Sequence, residues 1–168
     1  MTNALRQLSA KKIAYRTHTY EAPSGFLDGV SVAQATGLAP ERVFKTLVTQ
    51  GASKEYYVCV IPVAKELDLK KAAKHFKEKS IAMIRARDIT TVTGYIKGGC
   101  SPVGMKKKYP TAIDSSAAAY DFIAVSGGKV GLQMELAVAD LCVLTGAQLV
   151  ELTEQPASAG VQTLEEQR

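Results

Sequence analysis

Two strand-forming runs follow one another closely in the first half of the chain. The segments FKTLVTQ (44–50) and YYVCVIP (56–62) are rich in β-branched and aromatic residues, and only residues 51–55 separate them. Further strands are predicted at 14–20, 80–84, 111–114, 121–125, 130–133 and 148–152. Because the strands outnumber the helices and do not strictly alternate with them, we expect an α/β fold of the α+β type, with a mixed sheet or barrel and peripheral helices, and not a doubly wound fold.

Helices are predicted at 3–12, 31–37, 69–77 and 136–145, and a short one is predicted between Asp88 and Gly94. Ser31, Asp68 and Asp88 are the residue types that cap a helix N-terminus, and each stands just before such a segment. The pair Gly127-Gly128 is typical of a tight turn, which predicts a hairpin between 121–125 and 130–133. The helix after Asp68 is expected to turn one set of side chains inward: Leu69, Ala72, Ala73 and Phe76.

Length and composition favour one domain of 168 residues, with a folded part at 1–152 and a polar, flexible tail at 153–168. The net charge of +5 is concentrated in a run at 106–108 and in five lysines between 70 and 79, which favours an anionic partner. The three cysteines are far apart, which excludes a disulfide framework and a paired-cysteine zinc or redox motif and favours the reducing cytoplasm. No apolar run is long enough to predict a membrane span, and no cofactor or metal is expected.

The most unusual stretch is GYIKGGCSPVGMKKKYP (94–110), which holds four glycines in eleven residues. Gly94 and Gly99 have the spacing of a phosphate-binding loop, but Cys100 and Ser101 follow, so the required lysine is missing. Two interpretations stay open: a tight surface turn, or a loop whose backbone N–H groups face an anion or a developing oxyanion. Cys100 is the one nucleophile in a glycine-rich setting, and no local motif supplies its base.

Lys45 shares a predicted strand face with Leu47. A lysine at this position either protects a sheet edge from aggregation or projects into a cleft and binds a phosphate or carboxylate. His18 and His75 have no cysteine or carboxylate at metal-ligand spacing, which argues against a zinc site.

Several segments together resemble the YbaK family, free-standing relatives of the editing domain inserted in bacterial prolyl-tRNA synthetase. The resemblance spans residues 5–152 and rests on THTY (17–20), VFKTLV (43–48), LDLKKAAK (67–74), TGYIKGGCSPVG (93–104), KKYPTAIDSS (107–116) and VSGGKVGLQMEL (125–136). The resemblance implies a mixed α/β fold around a curved, barrel-like sheet. It also implies a trans-editing enzyme that deacylates mischarged Cys-tRNA(Pro). In this family the thiol of the substrate itself attacks the ester carbonyl and leaves as a cyclic thiolactone, so no cofactor and no enzyme nucleophile are required.

The resemblance also implies the site. Lys45 matches an essential lysine that holds the tRNA 3′ end or the ester, and Gly98 and Gly99 match glycines whose backbone N–H groups face the carbonyl oxygen. The matching substrate-binding residues are Tyr20, Phe26, Pro102, Ser126 and Gln133. The implied partners are the mischarged tRNA(Pro), held on a basic face, and prolyl-tRNA synthetase. The oligomeric state stays open.

Gln133 departs from this pattern, because close relatives often carry aspartate there. A carboxylate would hold the α-ammonium group of the substrate more strongly than an amide does, unless Glu135 or Asp28 compensates. Two alternatives therefore stay open: a water-dependent deacylase for another small amino acid, such as Ala-tRNA(Pro), and a non-catalytic module that binds tRNA or the synthetase.

Overall fold

The structure is a computed structural model that describes residues 1–25 and 27–155. Phe26 and the expected tail beyond Gln155 lie outside the described residues. In chain order the elements are α1 (Asn3–Ala10), β1 (Tyr15–Thr19), α2 (Gly29–Thr36), β2 (Phe44–Gly51), β3 (Tyr56–Pro62), α3 (Leu69–Phe76), β4 (Ile81–Met83), α4 (Ile89–Thr93), β5 (Thr111–Asp114), β6 (Phe122–Lys129), β7 (Leu132–Ala137), α5 (Val138–Thr145) and β8 (Gln148–Val150).

The strands form two sheets. The larger has the order β4-β2-β3-β5-β8, in which β2 is antiparallel to β3 and β4, while β5 is parallel to β3 and β8. The smaller has the antiparallel order β1-β7-β6, and a parallel bridge between Val43 and Ala124 connects the two sheets. The predicted mixed α/β architecture is confirmed, although the sheets do not close into a barrel.

The main core lies on one face of each sheet. Leu132, Met134 and Leu136 alternate along β7 and are buried against α1 and against residues of β2 and β3 such as Phe44 and Val60. The intervening residues of β7 face the other way, as the two-residue period of a strand requires. This alternation places Gln133 on the face of the smaller sheet that is turned away from the main core.

A second core cluster lies on the opposite face of the larger sheet, beneath α3. Cys59 and Ile61 of β3 pack there against Ala72 and Ala73, which confirms the inward direction of the two alanines. Leu69, in contrast, is 38% exposed, so its expected inward position is wrong. It is the first residue of the helix and borders a surface depression together with Lys70 and Ile81.

The predicted hairpin turn is displaced along the chain. Strand β6 continues through Gly127 and Gly128 to Lys129, with a register shift after Ser126, and the turn falls at Val130 and Gly131. A side chain at Gly127 would approach that of Leu132 to 2.7 Å, and one at Gly128 would approach Thr2 to 2.9 Å. The glycine pair therefore permits close packing and does not form the turn.

Two of the three predicted helix caps also differ. Helix α2 begins at Gly29, and its cap is Asp28, whose carboxylate accepts a 3.0 Å hydrogen bond from the Ser31 N–H; the expected cap at Ser31 is wrong. Asp68 caps α3 as expected, by accepting hydrogen bonds from the N–H groups of the first turn. Asp88 precedes α4 but makes no capping hydrogen bond, because a 3₁₀ turn already leads into that helix.

None of the helices in the described part of the chain is long and apolar enough to cross a membrane. The last described residues remain attached to the domain. Thr153 forms a β-bridge with Leu67, and its carbonyl accepts a 2.8 Å hydrogen bond from Lys71 Nζ.

Candidate functional site

A cavity of about 370 Å³ opens beside the free edge of β2. Strand β4 pairs with β2 only at residues 49–51, so no strand covers the stretch from Phe44 to Leu47 on that side within the described residues. The other walls come from α2, from the segment between β4 and α4, from the glycine-rich loop at 94–104, and from the smaller sheet. Elements from almost the whole chain therefore meet at one opening.

Lys45 lies in this cavity, on the uncovered edge of β2. It is half-buried, and its side chain makes no hydrogen bond or ion pair with any residue that the structure describes. The sequence allowed either a lysine at a sheet edge or a lysine in a cleft. Lys45 fits both descriptions, because the edge of β2 forms a wall of the cavity. A cation placed in this way is available to an anionic or carbonyl group of a ligand.

The glycine-rich loop brings Gly98 to the cavity but not Gly99. Gly98 has a φ of 84°, the left-handed conformation that favours glycine. The N–H of Gly99 donates a 3.0 Å hydrogen bond to the carbonyl of Ile96 and so closes a turn within the loop. A side chain at Gly99 would come within 2.8 Å of the backbone of Lys129 and Val130, so this residue allows the loop to pack directly on the β6–β7 hairpin.

The smaller sheet contributes Tyr20, Ser126 and Gln133 to the cavity wall. Ser126 and Gln133 are directly opposite each other in the β6–β7 pairing, so their side chains lie on the same face. Tyr20 follows β1, and its N–H donates a 2.9 Å hydrogen bond to the carbonyl of Gly131 in the turn between β6 and β7. The turn thus holds the tyrosine beside the other two residues.

Of the other residues inferred from the resemblance, Pro102 is buried and lines a separate small cleft beside Lys107 and Lys108. Phe26 is not among the described residues, although its neighbour Leu27 lines the cavity. The structure therefore brings together Tyr20, Lys45, Gly98, Ser126 and Gln133.

Two oxygen atoms of cavity-lining residues are buried without a hydrogen-bond partner among the described residues: Thr46 Oγ1 and Gln133 Oε1. Buried polar atoms are nearly always paired in proteins, and an unpaired one costs about 1–3 kcal/mol. The sequence contained a signal for Thr46, because it is the polar residue on the predicted strand face that it shares with Phe44 and Val48. These two oxygens mark where a ligand could supply donors.

Neither of the carboxylates considered as substitutes at position 133 lines the cavity. The two oxygens of Glu135 bind His18 Nε2 at 2.9 Å and Arg42 Nη2 at 3.2 Å. Asp28 is occupied as the cap of α2, and hydrogen bonds from the backbone and then the hydroxyl of Ser31 lower the pKa of its carboxyl. Both groups therefore have structural partners elsewhere.

Cys100 also lines the cavity, and burial raises the pKa of its thiol to about 11. A thiol in that state is protonated near neutral pH and is a poor nucleophile. This agrees with the interpretation that Cys100 supplies no nucleophile.

The apolar part of the cavity was not predicted. Met83, Ile84, Ala86 and Ile89 form one wall, and Val32 and Val63 contribute to another. In the sequence these are ordinary hydrophobic residues, and nothing in their spacing separates them from core positions. Met83 is 47% exposed, which shows that this wall reaches the cavity mouth.

Comparison with known proteins agrees with this geometry. The aminoacyl-tRNA editing domain family matches residues 28–144, which include every wall of the cavity except Tyr20 and Leu27. A protein of Enterococcus faecalis with the provisional name Cys-tRNA(Pro)/Cys-tRNA(Cys) deacylase EbsC is 43% identical over 152 residues, which cover 90% of this chain and 93% of that protein.

Solved structures show the same fold at lower identity. The hypothetical protein APE2540 has a TM-score of 0.81 and 21% identity, covering 90% of this chain and 99% of that one. A crystal structure described provisionally as a trans-editing enzyme for prolyl-tRNA synthetase has a TM-score of 0.76 and 24% identity, covering 92% and 99%. The resemblance to free-standing editing proteins of the YbaK type is confirmed, and the chain belongs to the aminoacyl-tRNA editing domain family.

Proposed function

We propose that this protein is a trans-editing deacylase that removes cysteine from Cys-tRNA(Pro). The observation that carries the proposal is the placement of Lys45 and Gly98 in one cavity with Tyr20, Ser126 and Gln133. Membership of the editing family and the name of the 43% identical relative support the same activity. A second editing site is chemically necessary, because a synthetase pocket discriminates weakly between amino acids of nearly equal size.

The cleavage step uses the thiol of the substrate. The cysteine sulfur forms a bond to the ester carbonyl carbon, the bond from that carbon to the ribose oxygen breaks, and the thiol proton passes to the departing ribose hydroxyl. The products are a cyclic thiolactone and deacylated tRNA. Because sulfur and carbonyl belong to one molecule, the main task of the protein is to hold the side chain folded back on the ester.

Several cavity residues have a role in this step. Lys45 attracts the terminal phosphate or the polarised carbonyl by charge. The N–H of Gly98 is the loop donor available to the developing oxyanion, because the N–H of Gly99 is already bonded to Ile96. Tyr20 and Ser126 border the aminoacyl-adenosine, and the apolar wall from Met83 to Ile89 excludes water from it.

The tRNA body would contact the exposed lysines that follow the glycine-rich loop. Lys106 donates a 3.0 Å hydrogen bond to the carbonyl of Thr91 in α4, and Ile89 of the same helix lines the cavity. The run at 106–108 therefore continues from the cavity wall onto the surface. We propose that the protein acts in the cytoplasm, where charged tRNA is found, in association with prolyl-tRNA synthetase.

The test is deacylation of Cys-tRNA(Pro) and Ala-tRNA(Pro) side by side, with identification of the released product. Lys45→Ala should reduce the rate by about 100-fold or more, the usual effect of removing a group that stabilises transition-state charge. Lys65→Ala, an exposed lysine that does not line the cavity, is the matched control and should leave the rate unchanged.

The three possible outcomes distinguish the three candidate functions. Loss of cysteine alone, released as thiolactone, supports the proposal. Loss of alanine as well would replace it with a water-dependent deacylase. Binding of tRNA without loss of either amino acid would indicate a non-catalytic module.

A further inference from the structure

The described residues that line the cavity include lysines but no carboxylate. The ionisable residues among its described walls are Tyr20, Lys45, Lys97 and Cys100, and no aspartate or glutamate is among them. A ligand that enters therefore meets Lys45, which has no partner among the described residues, and no carboxylate among the described wall residues. Such an environment disfavours a second positive charge, both by repulsion and by loss of hydration.

The nearest carboxylate along the same strand face does not correct this imbalance. Glu135 is two residues from Gln133, so both side chains lie on the same side of β7. Its oxygens are engaged by His18 at 2.9 Å and by Arg42 at 3.2 Å. The carboxylate of Glu135 is therefore already bound by His18 and Arg42, and it does not balance the positive charge in the cavity.

Gln133 itself offers a neutral acceptor. Its side chain is 7% exposed, and its Oε1 has no hydrogen-bond partner among the described residues. Thr46 Oγ1 is a second buried oxygen of the same cavity without a described partner. A donor on the ligand would remove the cost of leaving such an atom unpaired.

We infer that the cavity binds the aminoacyl ester with its α-amino group uncharged, and that Gln133 Oε1 accepts a hydrogen bond from that neutral amine. This inference rests on the proposed function and specifies the form of the substrate that the site takes. An α-amino group ordinarily has a pKa of about 7.7–8.0, so the neutral form is accessible near physiological pH. Desolvation in the cavity and the charge of Lys45 favour that form further.

The test uses binding alone and no cleavage. The probe is 3′-alanylamido-3′-deoxyadenosine, a stable amide analogue without a thiol, and its N-acetyl derivative is the control that cannot be protonated. If only the neutral amine binds, the Kd of the probe should tighten by about 50-fold between pH 6 and pH 8.5. The N-acetyl derivative should bind equally at both pH values, which also controls for titration of the protein.

Two variants assign the effect to Gln133. Gln133→Glu adds a carboxylate of the same shape, and it should abolish or reverse the pH dependence because the ammonium form is then favoured. Gln133→Met keeps the volume but removes the acceptor, and it should weaken binding of the probe about 5- to 10-fold. Thermal unfolding of both variants confirms that the fold is intact.

A Kd that is independent of pH, or one that weakens as the pH rises, would overturn the inference. Deacylation of Cys-tRNA(Pro) by the same preparation reports separately on the proposed function. An active protein with a flat Kd profile contradicts the neutral-amine inference alone. An inactive protein with the expected Kd profile contradicts the proposed deacylase and leaves the mode of amine binding supported.

Discussion

Gly99 shows how closely the glycine-rich loop approaches the smaller sheet. A methyl group there would lie 2.8 Å from the backbone of Lys129 and Val130, a distance that real side chains do not adopt. Gly99→Ala should lower the free energy of unfolding by about 1–3 kcal/mol, the usual cost of overpacking. It should also slow deacylation, because the adjacent Gly98 lines the cavity.

Gly37→Ala is the matched control for this measurement. Gly37 has a φ of 77° but open space around it, so the added methyl group costs only backbone strain. Urea denaturation of both variants gives the comparison. A loss well below about 1 kcal/mol for Gly99→Ala would show that the loop can move away from the hairpin and that the close approach is not required.

The three cysteines should differ in their rates of alkylation. Burial raises the pKa of the Cys100 thiol to about 11 and that of Cys59 to about 12, whereas the half-buried Cys142 is raised less. At pH 8 about one Cys100 thiol in 1,000 is therefore ionised. Iodoacetamide labelling followed by peptide mass spectrometry should modify Cys142 first. Faster labelling of Cys100 would show that this residue is activated and would reopen a role for it in the reaction.

The contribution of single residues could be predicted only in part. The resemblance identified the polar residues of the cavity, because motifs such as SPVG and SGGK are distinctive in sequence. The roles of individual glycines were not accessible in this way. Whether a glycine faces a ligand, as Gly98 does, or packs against backbone, as Gly99 does, depends on contacts with residues about 30 positions away.

Helix α2 borders the cavity, and its first turn depends on Asp28. The carboxylate of Asp28 accepts hydrogen bonds from the N–H and the hydroxyl of Ser31, which lower its pKa from the ordinary value of 3.8. A group with a lowered folded-state pKa contributes stability above its unfolded pKa and loses that contribution as the pH falls through the folded one. Asp28→Ala should therefore lower the Tm at pH 7 by a few degrees. The difference in Tm between this variant and the unsubstituted protein should become smaller below pH 4.

Asp88 provides the comparison, because it precedes α4 without making a capping hydrogen bond. Asp88→Ala should leave the Tm unchanged at both pH values. Scanning calorimetry at pH 7 and pH 3.5 distinguishes the two substitutions. An equal effect of both would mean that the negative charge, and not the specific hydrogen bond, stabilises these helix starts.

Elements were easier to predict than their boundaries. The β-branched and aromatic residues of FKTLVTQ and YYVCVIP correctly predicted β2 and β3, because the strand preference of these residues is a local property. The hairpin turn was misplaced because Gly127 and Gly128 have a turn-like composition but are required for packing against Leu132 and Thr2. The contact between Gly128 and Thr2 joins residues from opposite ends of the chain, and no local pattern contains it.

On the scale of the whole molecule, the basic surface beside the cavity should dominate binding of tRNA. Replacing Lys106, Lys107 and Lys108 by glutamate should weaken binding and reduce the slope of log K against log salt by about 2–3, since each phosphate contact contributes roughly 0.7–0.9. Filter binding of tRNA(Pro) between 50 and 300 mM KCl measures this slope.

The lysines of α3 and its C-terminal end offer a control of equal charge. Lys70, Lys74 and Lys79 border a different depression on the surface, and their replacement by glutamate should change the slope much less. A larger change of the slope for this second set would indicate that tRNA binds beside α3 and not beside the glycine-rich loop.

The pairing of β1 with β7 has a consequence for synthesis of the protein. The register from Tyr15–Leu136 to Thr19–Leu132 joins strands from opposite ends of the domain, and Tyr20 is held by the turn that precedes β7. The smaller sheet cannot assemble until the ribosome has released residue 137, and pairings of such large sequence separation form slowly. A chain that ends before β7 therefore lacks the cavity wall to which Gln133 belongs. Active molecules appear only once β7 has left the ribosome and paired with β1.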